Sequence, residues 1–150
     1  SDRRRRRNAA SAHAMSPDAL EFHDGRISAV AMPAPGIVTI SFSYLCAYFR
    51  TETPDVFDVK RAQAEIVVTG ATRLETELAV NVALEVWDGA ITMDGASVTP
   101  RRAERFTGAC RLSLELAGPF IGKLIVEGSG LEIRVHAIGQ TFEQFHGAID

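Results

Sequence analysis

Through most of this chain apolar and polar side chains alternate with a period of two. Only an extended strand sends successive side chains to opposite sides, so a chain that buries one set of such a pattern must be built from strands. Asp24-Gly25, Asp88-Gly89 and Asp94-Gly95 interrupt the alternation. Asp-Gly is a pair that tolerates the positive φ angles of a tight hairpin turn. The expected fold is therefore all-β, an antiparallel β-sandwich or closed β-barrel of about eight to ten strands.

A chain of 150 residues that is 46% apolar can fill one core without disulfide or metal staples, so residues 15–150 read as a single all-β domain. Cys46 and Cys110 are too few for a secreted disulfide framework. Both fall on positions read as inward-facing, which makes them reduced core thiols unless they face each other on adjacent strands. No apolar run approaches the roughly 20 residues of a membrane-spanning helix. The expectation is a soluble, cytoplasmic protein with no membrane partner.

The net charge of −3 conceals an asymmetry. Arg3 to Arg7 form an unbroken basic run, and residues 15–150 carry 11 basic against 18 acidic side chains, a net −7. A body of that sign repels a phosphate backbone, so no nucleic-acid partner is expected. Residues 1–14 lack an apolar h-region and do not form a secretory signal. They read as a basic arm or an appended remnant, either loose in solvent or docked on an acidic surface of this subunit or a neighbour.

Strands are expected at 19–23 and 26–32, joined by an Asp24-Gly25 turn and stopped by Pro33-Ala34-Pro35-Gly36. Residues 37–49 follow as one long strand whose core face is Val38, Ile40, Phe42, Tyr44, Cys46 and Tyr48. The opposite face keeps apolar Ile37, Leu45 and Phe49. Further alternating runs cover 58–70, 75–87 and 106–116, and a meander of very short strands at 90–93 and 96–98 is bracketed by the two later Asp-Gly pairs. Around Gly128-Ser129-Gly130, the runs 123–127 and 131–138 form either a hairpin or one bent strand with a glycine bulge. Phe142 and Phe145 are three residues apart, which suits a helical turn packed on one end of the domain.

His23, flanked by Glu21 and Asp24, comes nearest to a catalytic or metal constellation, with His136 and His146 joining only if the fold gathers them. There is no His-x-His, His-Glu-x-x-His or Cys-x-x-Cys, no phosphate loop and no nucleophile elbow. No catalytic residue, metal or cofactor is therefore assigned. Arg101, Arg102 and Arg105, next to Phe106, are the candidate anion-binding cluster, unless surface acids such as Glu104 pair with them. Phe42, Tyr44, Tyr48 and Trp87 are the candidate ligand-binding residues, provided that a barrel interior stays open rather than filled.

The leading functional expectation is a non-enzymatic binding or assembly module that uses a sheet face or edge. The reason is apolar area left on second strand faces at Ile37, Leu45, Phe49 and Val67. Its expected partner is another copy in a homo-oligomer, or another protein. The alternatives are a small barrel holding an apolar molecule inside and an enzyme with a His/carboxylate site.

Overall fold

The computed structural model describes residues 17–76, 84–98, 105–117 and 122–148. Residues 1–14, Arg101 and Arg102 lie outside them, as does the middle of the expected 75–87 strand. Eight strands follow one another: β1 (Ala19–Ala34), β2 (Ile37–Arg50), β3 (Val56–Thr69), β4 (Arg73–Thr76), β5 (Leu84–Met93), β6 (Ala96–Val98), β7 (Arg105–Ala117) and β8 (Gly122–His146). All pairings are antiparallel, in the order β1-β2-β3-β8-β7-β5-β6, with β4 added along β8. Arg26 of β1 also pairs with Glu85 of β5, and Ile27 with Leu84, so the sheet closes on itself in a barrel-like ring. Closure matters because it gives β1, which begins the strand order, a second backbone partner in β5 at Arg26 and Ile27. No helix among the described residues is long and apolar enough to cross a membrane.

The ring is filled from its staves inward. Ile40, Ile66, Ile91, Leu112 and Leu124 are each 0% exposed, and no polar or charged residue is buried among the described residues. Burying each such side chain contributes about 1.5–3 kcal/mol. In β7 the expected inward set, Cys110, Leu112, Leu114 and Leu116, is buried throughout.

The three Asp-Gly pairs have two different roles. Asp94 at φ 50 and Gly95 at φ 83 make the expected tight turn from β5 to β6, with Met93 opposite Ala96. The other two are bulges inside continuous strands rather than turns. Between the pairs Glu21↔Cys46 and Arg26↔Tyr44, β1 advances five residues while β2 advances two, and Asp24 takes a φ of 62. Between Val86↔Leu116 and Asp88↔Glu115 the register slips again. A Cβ on Gly89 would lie 2.6 Å from Leu114 Cδ2 and 2.8 Å from Phe22 Cδ2, and one on Gly25 would lie 2.7 Å from Leu45 Cδ2. Here glycine lets neighbouring staves approach where the bulges bend the wall.

Three further expectations change for the same kind of reason. The register of β2 against β3 slips between Phe42 and Leu45, and beyond it the inward phase reverses. Leu45 and Ala47 become buried, while Tyr44, Cys46 and Tyr48 move to the half-buried outer face. Cys46 is thus not a core thiol, and Cys110, on the non-adjacent β7, is free as well. Gly128 to Gly130 form no hairpin: β8 runs straight through them, and the extra residue is on β7 between Thr107 and Cys110. Phe142 and Phe145 are strand residues opposite β3, not a helical turn.

Candidate functional site

Past its bulge, β2 directs Tyr44, Cys46 and Tyr48 outward between β1 and the paired ends of β3 and β8. These side chains, with Arg61 and Phe142, line a groove of about 340 Å³. Glu21, Asp24, Glu85 and Glu143 also line it, so four acidic side chains surround a single arginine. The Arg61 guanidinium lies 4.5 Å from the centre of the Tyr44 ring and 5.4 Å from that of Phe142, a stacked cation held between two aromatic faces. The Tyr48 hydroxyl donates to Glu21 Oε2, and the Phe145 ring meets Tyr48 edge-on at 5.7 Å. Burial is the first cause that pushes the Tyr48 phenol above its ordinary range, and the Glu21 hydrogen bond adds to it. Burial is likewise the first cause that raises the Cys46 and Cys110 thiols, which favours their protonated form.

The sequence-derived candidates separate. Tyr44 and Tyr48 share the groove, but Phe42 is in the core, 2% exposed with its ring 6.1 Å from Phe22. Trp87 is 60% exposed on β5. The four therefore do not form one pocket, and Phe42 fills space inside the ring. Arg105 is exposed and paired with Glu132 at 3.4 Å, so its charge is already answered. His23 and Asp24 meet at 3.5 Å, whereas His136 stands by Glu65 on the β8–β3 pair and His146 is opposite Val56. Among the described residues no three His, Cys, Asp or Glu side chains are grouped to hold a metal ion.

His23 Nδ1 donates to the Trp87 carbonyl at 2.5 Å, and the two rings meet edge-on at 5.3 Å. This carbonyl is the main reason that the imidazole pKa lies above 6.5, with the Asp24 carboxylate adding to it. A raised folded-state pKa means that protonated His23 favours the fold. This contribution is fully present below the unfolded value of about 6.5 and is lost as pH rises through the folded-state value. In an NMR titration His23 should titrate above 6.5, and Asp24→Asn should lower its midpoint. A midpoint at or below 6.5 would mean that the Trp87 contact does not hold the ring.

Val59, Arg61, Glu85 and Glu143 are the groove residues that the sequence did not single out, and it offered Phe142 only as part of a helical turn. Arg61 reads from sequence as an outward position on its strand, but nothing local shows that Tyr44 turns outward to meet it. The chain matches no protein-family model, and no curated protein or solved structure is significantly similar to it.

Proposed function

We propose that this protein is a non-enzymatic assembly module that pairs with a second copy of itself through the outer face of β2, β3 and β8. The observation that carries this reading is aromatic area left in water. Phe142 is 50% and Phe145 39% exposed, next to Tyr44, Tyr48 and Arg61. Tyr, Phe and Arg are enriched where protein surfaces meet, and grouped exposed aromatics favour being covered. A two-fold pair is the commonest way for one patch to cover itself.

A face is favoured over an edge. Beyond Glu132, the last residue paired with β7, β8 is bonded on one side only among the described residues. That stretch is bulged, with register slips at Val59/Lys60, Lys60/Ala62 and Gln63/Ala64 of β3, and bulges blunt an edge against added strands. Free thiols at Cys46 and Cys110 fit a reducing compartment such as the cytoplasm.

Light scattering tests the reading. The unmodified chain should have the mass of a dimer at micromolar concentration, and Phe142→Ser with Phe145→Ser should shift it to monomer with the fold retained by circular dichroism. A strict monomer for the unmodified chain removes self-association. A dimer indifferent to both substitutions removes this face.

A further inference from the structure

The groove opens where the described chain begins. Asp18 N donates to the Tyr48 carbonyl at 2.8 Å, Asp18 Oδ2 accepts from Arg50 N at 2.8 Å, and Ala19 is opposite Tyr48. Tyr48 and Glu21 both line the groove. The polypeptide that precedes Asp18 therefore leaves the body at the groove's rim. It carries the longest run of consecutive arginines in the sequence, Arg3 to Arg7.

We infer that Arg3–Arg7 dock, within the same chain, in the groove bounded by Tyr44, Tyr48, Phe142, Glu85 and Glu143. The reach is sufficient: the eleven residues 8–18 extend up to about 38 Å, or about 18 Å as a flexible coil. The chemistry matches from both sides. A guanidinium forks onto carboxylates and stacks on aromatic faces, and this groove already seats one guanidinium, that of Arg61, between Tyr44 and Phe142. Its four acidic side chains exceed the charge of that one arginine. Attachment beside the groove also raises the arm's effective concentration to the order of millimolar, so a weak site stays occupied in cis. The arm is then an internal occupant that any cationic segment from another protein must displace. The arm would occupy the acidic groove, whereas the assembly reading rests on exposed Phe142 and Phe145 at its rim, so arm and second copy compete at Phe142 and each is read by its own measurement.

The test compares the unmodified full-length chain with a full-length variant in which Arg3 to Arg7 are all serine. At low salt, the amide resonances of Glu21, Asp24 and Glu143 should differ between the two. The difference should vanish at high salt, because exposed pairs are screened, and should not depend on protein concentration. Free pentaarginine should bind the serine variant about tenfold more tightly than the unmodified chain, whose own arm competes. Glu85→Gln with Glu143→Gln in the serine variant should weaken that binding by a further factor of about ten. Equal pentaarginine affinity for both chains, or indifference to the glutamine substitutions, overturns the inference. Amide differences that grow with protein concentration overturn it in favour of a neighbour's arm. Light scattering reads the dimer separately, so either idea can fail alone.

Discussion

Replacing Gly89 with valine destabilises the protein by about 3 kcal/mol, seen as a lower urea midpoint at unchanged slope. The cause is space, not backbone freedom. Gly89 is not among the residues at positive φ, yet its missing Cβ leaves room for Leu114 Cδ2 at 2.6 Å and Phe22 Cδ2 at 2.8 Å. Leu114 is 0% and Phe22 4% exposed, so neither can swing into solvent. Gly95 makes the complementary case. Nothing lies within 4 Å of its Cβ position, but its φ of 83 penalises an L side chain, and Gly95→Ala should cost about 1–2 kcal/mol from the backbone alone. Phe22→Leu should recover part of the loss at Gly89 and leave Gly95→Ala unchanged, because only the first pair shares a contact. Stability unchanged by valine at Gly89 would mean that the two staves do not meet there.

Leu45→Ala should cost about 2–5 kcal/mol, the range for emptying a fully buried leucine site, while Cys46→Ala should cost about 1 kcal/mol or less. Leu45 is 1% exposed inside the ring, and Cys46 is on the outer face. Unbroken alternation from Val38 would reverse that order, since it places Cys46 inward and Leu45 outward. Urea unfolding of the two variants therefore tests the phase change directly. A larger loss at Cys46 would remove the β2 bulge, and with it the outward position of Tyr44 and Tyr48 on which the groove depends.

The regular stretches were legible because their signal is local. Val38, Ile40 and Phe42, then Ala62, Ala64, Ile66 and Val68, then Leu112, Leu114 and Leu116, each face inward as the period-two pattern requires. The site was only partly legible. Tyr44 and Tyr48 stand out as aromatics at strand spacing, but pairing them with Phe42 and Trp87 assumed a phase that the bulge breaks. Arg61, Phe142 and Glu143 come from strands that are distant in sequence and adjacent only through the β3–β8 pairing. Phe142 and Phe145 were visible as a pair, and three-residue spacing fits a helix unless the bulges of β8 are known.

By itself the sequence determined that the chain is antiparallel β, which side chains fill it along the unbulged stretches, and that its charge divides between a basic run and an acidic body. Side-chain alternation and charge are properties of neighbouring residues, so these conclusions needed no knowledge of distant contacts. Tertiary structure decided whether each Asp-Gly turns the chain or bends a strand, which face Tyr44 joins, and that β1 meets β5. A turn and a bulge draw on the same residues, because both use positive φ or the absence of a Cβ. What separates them is whether another stave, such as the one carrying Leu114, lies against the glycine, and that contact exists only once the ring has closed.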